Sequence, residues 1–297
     1  MEFIKAKTIV SNYVPNSSWF GLNYNMNIYK GCNHGCIYCD SRSECYQIEN
    51  FDTVRAKENS TEIIERDLRS KRKKGVIGTG AMSDPYNPFE KKYELTRKAL
   101  DLVDKYNFGI SIATKSPLIT RDIDILKRIS THSPVLIKIT ITTFNDELCK
   151  KIEQHVQPSS KRFRAIKELS DNGIFTGILL MPILPFINDT EDNIKSIVRG
   201  AHESGAKFIY AYGMGVTLRG NQRDYYYEQI RELFPQQNLV GAYMRAYGER
   251  YENSSQKGRA LWYLFKSECE RYGILYKMED IVEAYRRNYQ QEQISFF

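Results

Sequence analysis

Between Val76 and Tyr212 the chain alternates short β-branched runs with amphipathic segments, and this rhythm constrains its fold more than any other feature. Val76–Thr79, Gly109–Thr114, Val135–Thr142, Ile174–Met181 and Phe208–Tyr212 read as strands. Between them, Thr61–Lys73, Lys91–Lys105, Arg121–Ile129, Ser160–Asn172 and Thr190–Ser204 carry apolar residues at helical spacing. Thr190 heads a T-x-x-N helix start, with Asp189 and Glu191 placing negative charge near the first-turn amides, and Gly173 stands where a helix ends. Alternating strands and helices imply a parallel sheet, because each crossover returns the chain in the same direction. About six such units suggest an α/β protein built as a barrel or part of one, whose chemistry sits at the C-terminal strand ends. The expected division is an N-terminal segment over 1–22, a barrel over 23–220 and a helical C-terminal extension over 221–297, the last rich in tyrosine.

At 297 residues the chain can bury one large core. Met1–Val10 mixes charges among its apolar residues and does not read as a signal peptide. No stretch approaches the roughly 20 apolar residues of a membrane span, so a cytoplasmic enzyme with no membrane partner is expected. The net charge of +7 suits a nucleic-acid or other anionic substrate without demanding one. Six cysteines in this setting point to metal or redox chemistry ahead of disulfides.

Three of them, Cys32, Cys36 and Cys39, fall in the segment N-I-Y-K-G-C-N-H-G-C-I-Y-C-D, which follows the first candidate strand. The C-x3-C-x2-C spacing gathers three thiolates into a soft, electron-rich loop suited to zinc or to an iron–sulfur cluster. A structural zinc needs a fourth ligand, which His34 or Cys45 could supply. A cluster with three cysteines leaves one iron open. Gly31, Asn33, His34 and Gly35 make a tight loop here and argue against simple core cysteines.

The same spacing, with Tyr38 as the aromatic before the last cysteine, resembles the signature of the radical S-adenosylmethionine (SAM) superfamily. Further stretches, G-A-M-S-D-P-Y-N-P, A-T-K-S-P-L-I-T-R-D-I-D-I-L, I-T-I-T-T and M-P-I-L-P-F-I-N-D-T, are similar to the spore photoproduct lyase, or DNA-repair photolyase-like, branch. The resemblance implies a partial (βα)6 TIM-type barrel with a 4Fe-4S cluster on Cys32, Cys36 and Cys39 at its mouth. It also implies S-adenosyl-L-methionine on the open iron, and one-electron cleavage to a 5′-deoxyadenosyl radical that abstracts hydrogen from the substrate.

By resemblance, Tyr38 lies beside the adenine, Lys115 pairs with the methionine carboxylate, and backbone at Met181 lies against the adenine. Gly80, Ser83 and Asp84, with Gly78, close the second strand, where glycines admit a ligand and the polar pair can bond an ammonium or a ribose hydroxyl. Thr140 and Thr142 share a strand face and are candidates for the ribose hydroxyls. Asn188 and Asp189 read as helix capping, and Arg121-Asp122 as a helix start.

The lyase of this branch carries a hydrogen-donating cysteine just before its Ser-Asp pair, whereas here Gly80-Ala81-Met82-Ser83-Asp84 holds no thiol. A thioether has no such hydrogen to give. Cys45 is the candidate for a catalytic thiol; Cys149 and Cys269 read as structural. The expected function is a radical SAM enzyme, lyase-like or modifying, acting on nucleic acid or another large substrate, with DNA repair as the expected role. The rivals are modification of RNA or a peptide, and a zinc-stabilised nucleic-acid-binding module. An external electron donor of the flavodoxin or ferredoxin type is implied. The end of the chain, Gln293-Ile294-Ser295-Phe296-Phe297, resembles a peptide that binds the bacterial sliding clamp.

Overall fold

Six strands run parallel through one sheet, as the strand–helix rhythm requires. The computed structural model describes residues 1–13 and 19–289. Its strands are β1 (Glu2–Ile4), β2 (Val10–Asn12), β3 (Tyr24–Met26), β4 (Tyr29–Lys30), β5 (Arg55–Lys57) and β6 (Val76–Thr79). They continue with β7 (Gly109–Thr114), β8 (Val135–Thr140), β9 (Thr176–Leu180), β10 (Phe208–Ala211), β11 (Gly215–Thr217) and β12 (Glu252–Ser254). The main sheet has the order β10-β9-β8-β7-β6-β3-β2, with only β2 antiparallel to its neighbour. Its two edges do not pair with each other, so the barrel is open, as a partial (βα)6 barrel should be.

Helices α1 (Ser60–Ser70), α2 (Glu90–Tyr93), α3 (Leu95–Lys105), α4 (Ile123–Ser130), α5 (Asp146–Ile152), α6 (Ser159–Asp171) and α7 (Glu191–Glu203) follow the strands. Each long one buries one stripe against the sheet: Ile64 and Leu68 from α1, Leu100 and Val103 from α3, Ile194 and Val198 from α7. With helices outside and side chains within, the strands are covered on both faces, and every residue of β8 is buried.

The extension adds α8 (Gly220–Leu233), α9 (Leu239–Tyr247), α10 (Gly258–Tyr272) and α11 (Met278–Arg286). Phe20, Val76, Leu136, Phe208, Ile281 and Tyr285 form one apolar cluster at the N-terminal ends of the strands. There Tyr285 donates its hydroxyl proton to the Phe20 carbonyl at 2.7 Å, so the beginning and the end of the chain plug the barrel together.

Several boundaries differ from expectation. The segment Lys91–Lys105 breaks into α2 and α3 because Glu94 takes φ 51° and ψ 34°. Pro117–Asp122 forms a 3-10 turn ahead of α4. Asn188 and Asp189 are not caps: Asn188 accepts from the Leu184 amide and donates to the Thr142 carbonyl, and Asp189 accepts from Ser255. Thr190 caps α7, accepting from the Asn193 amide at 3.2 Å. The described parts of the flanks, 1–13, 19–22 and 221–289, pair or pack with the barrel residues. β1 pairs with β5, β2 pairs with β3, and the β11–β12 ladder joins Gly215–Thr217 to Glu252–Ser254 across the expected boundary. Gln293–Phe297 lies outside the described residues. Among the described residues no helix is long and apolar enough to cross a membrane.

Candidate active site

The cysteine loop leaves β4 through Gly31, which has φ +80°; a Cβ there would stand 2.4 Å from the Thr53 carbonyl oxygen. Only glycine fits so tight a turn. The loop is then clamped along the segment after α5. His155 donates to the His34 carbonyl, Ile37 donates to the Ile152 carbonyl, and Cys36 bridges to Glu153. Cys32, Cys36 and Cys39 line one cavity of about 390 Å3 at the C-terminal ends of the strands, and none is in a disulfide.

Burial pushes the Cys32 thiol up to about 11 and raises Cys36 and Cys39 as well, with the Lys115 ammonium pulling the last two back. Metal binding displaces such protons and turns the thiols into thiolates. Among the described residues no three metal-ligating side chains converge on one point. A 4Fe-4S cube takes its thiolates at separate irons, so three cysteines spread along one cavity wall fit it.

The wall beside the cysteines comes from the loop after β6. Gly80 has φ +93°, and a Cβ there would meet the Ala113 carbonyl oxygen at 1.9 Å. Ser83 donates to the Gly31 carbonyl. The Asp84 carboxylate accepts from Thr114 Oγ1 at 2.6 Å, from the Lys115 amide at 2.7 Å and from the Tyr86 amide at 2.8 Å, with His34 Nδ1 at 3.4 Å. Both residues line the cavity, but these bonds tie three loops together.

Lys115 follows β7, and its ammonium stands 5.7 Å from the Tyr38 ring centroid. Burial works against its charge, and Cys36 and Glu153 more than offset this. Thr140 and Met181 line the same cavity; Thr142 is buried behind it and donates to Glu153.

A second cavity of about 280 Å3 adjoins the first and shares Cys39, Ser41, Ala81, Lys115 and Met181 with it. Its far wall includes Tyr212, Thr217 and Asn253, so the C-terminal extension helps to build the site. Tyr38 borders this cavity, but its hydroxyl is committed to Glu153. Cys45, the candidate catalytic thiol, is exposed on the turn Glu44–Tyr46 and lines neither cavity. The loop turns it outward, away from both cavities.

Sequence reasoning missed four residues. Glu153 and Arg162 form a buried pair behind the loop. Arg219, at the start of α8, grips Asp40 beside Cys39, its Nη2 donating to the two carboxylate oxygens at 2.6 and 2.9 Å and its Nε to one of them at 3.1 Å. Lys138, in the middle of β8, lines the first cavity. Only Lys138 left a legible signal, a lone charge inside V-L-I-K-I-T.

A family model, "Radical SAM superfamily", matches residues 26–198. An uncharacterised protein of Methanocaldococcus jannaschii is 37% identical over 174 residues, covering 58% of this chain and 64% of the relative, just under two thirds of its length. An uncharacterised protein of Mycobacterium tuberculosis is 25% identical, covering 80% of this chain and 70% of its own. Among solved structures, spore photoproduct lyase complexed with dinucleoside spore photoproduct superposes with a TM-score of 0.64 at 13% identity, over 91% of this chain and 79% of that one. At that identity the likeness is one of fold.

Proposed function

The chain belongs to the radical SAM superfamily, and from that premise we propose that it performs SAM-dependent hydrogen abstraction on a nucleic-acid substrate, lyase-like or modifying in outcome. The observation that carries this reading is the convergence of Cys32, Cys36, Cys39 and Lys115 on one cavity at the catalytic end of the barrel. When bound, the cluster and SAM supply the chemistry: one electron from an external donor cleaves SAM, and the 5′-deoxyadenosyl radical takes a hydrogen atom from the substrate.

The protein's part is to bind, orient and exclude water. Cys32, Cys36 and Cys39 would hold the cluster from one wall. Lys115 offers a charge-assisted bond to the SAM carboxylate. Thr140 and Met181 border the space for the rest of that ligand. The Tyr38 ring, pinned through its hydroxyl, packs the loop and keeps solvent from the cluster wall.

Two observations support a nucleic-acid substrate: the net charge of +7, and the fold shared with a lyase that binds a dinucleoside spore photoproduct. A DNA-repair role would follow from such a substrate. Anaerobic turnover with SAM and an electron donor, using deuterated DNA, RNA and peptides in parallel, tests the reading. Deuterium in 5′-deoxyadenosine from a nucleic acid supports it. Transfer from peptides alone, or a chain that binds zinc and no iron, overturns it.

A further inference from the structure

Two ammonium groups line the cavity, and they differ in their surroundings. Lys115 lies near Cys36 and Glu153, which favour its charge. Lys138 has no such neighbour. It sits on β8 two residues above Leu136 of the apolar plug, and is 3% exposed. Its Nζ donates to Ser111 Oγ at 2.7 Å and stands 4.5 Å from the Phe20 ring centroid. Among the described residues it has no ion-pair partner, whereas three arginines set against buried carboxylates do. Arg162 meets Glu153, Arg97 meets Asp122, and Arg121 meets Glu90. Burial alone pulls Lys138 down to about 7.

A desolvated ammonium without a counter-charge is expensive, and a leucine or methionine would pack this strand position at less cost. The Phe20 ring and the Ser111 hydroxyl meet the ammonium, and neither brings a negative charge to balance it. What Lys138 does face is open volume, on the floor of the cavity whose upper wall carries the three cysteines. The anionic end of SAM accounts for one cation, Lys115, and leaves the second for a different anion.

We infer that Lys138, held by Ser111 behind it, forms an oxyanion-recognition point on the cavity floor that takes a phosphodiester of the substrate. This rests on the nucleic-acid reading above. Tyr13 and Trp19 line the same cavity and supply aromatic surface for the bases flanking such a phosphate. An arriving phosphodiester restores the charge on Lys138 and accepts its two remaining hydrogen-bond donors.

Reductive methylation of the cluster-loaded protein at neutral pH, under anaerobic conditions and read by mass spectrometry at Lys138, tests this without turnover. A saturating dinucleoside monophosphate should slow labelling of Lys138 about ten-fold while exposed lysines react as before, and its charge-free methylphosphonate analogue should not. Lys138→Met should bind the dinucleotide about ten-fold more weakly, and Lys138→Arg close to normally. Equal protection by both ligands, or by neither, overturns the inference. If nucleic acid also donates deuterium, the functional reading survives that failure. Protection by N-acetylglycine but not by the phosphodiester would overturn the phosphodiester assignment together with the nucleic-acid reading.

Discussion

Glu153 and Arg162, both buried from solvent, form an ion pair at 2.5 Å directly behind the loop that carries the three cysteines. Glu153 also accepts from the Tyr38 hydroxyl, and its backbone bridges to Cys36. Burial would raise the Glu153 carboxyl, but Arg162 foremost, and then Lys115, hold it below its ordinary value. Glu153 thus positions two residues of the cysteine loop, Tyr38 through its carboxylate and Cys36 through its backbone.

Removing that charge leaves Arg162 buried and unpaired. Glu153→Gln should lose about 3–5 kcal/mol of unfolding free energy, by chemical denaturation, and assemble less iron per chain. A loss under about 1 kcal/mol with full iron content would show that the pair does not hold the loop.

Lys115→Ala should weaken SAM binding by about 1–3 kcal/mol, because a charge-assisted bond to a carboxylate is lost, while iron content stays at the wild-type value. Isothermal titration checks this. An unchanged dissociation constant rules Lys115 out as the carboxylate partner.

Lys138 titrates near 7 in the folded chain, against 10.5 ordinarily. Its folded value is depressed, so the unfolded chain binds more protons between about 7 and 10.5, and Lys138 makes stability rise with pH across that window. Below about 7 its burial penalty is fully present. Lys138→Met should therefore be more stable than wild type at pH 7, on the order of a few kcal/mol, with the difference shrinking toward pH 10. A pH-independent difference would show that the buried amine keeps an ordinary affinity for protons.

Met82 lines the cavity where a hydrogen-donating thiol would stand. The protein should not convert spore photoproduct to clean thymines, and the release of thymine pairs by chromatography checks this. Efficient conversion that survives Cys45→Ala would mean that another group returns the hydrogen.

Much of this was legible in the residues. β6 and β7 begin and end where the β-branched runs do, because buried parallel strands need continuous apolar sequence. The cysteine loop was legible because its spacing is local. The roles of Asp84, Glu153 and Arg219 were not. Asp84 meets residues about 30 positions away, and Arg219 meets Asp40 across 179. No period or spacing encodes such pairs, which exist only once the sheet has brought the loops together. Cys45 shows the converse: six residues from a cluster cysteine in sequence, it is turned outward by a single 3-10 turn.

The central claim is that Cys32, Cys36 and Cys39 hold a 4Fe-4S cluster that cleaves SAM. Anaerobically reconstituted protein should contain about four irons per chain and release 5′-deoxyadenosine when given SAM and dithionite. Cys36→Ala should do neither, because no spare thiol shares the wall. A Cys36→Ala variant that kept the full cluster and still released 5′-deoxyadenosine would contradict the assignment.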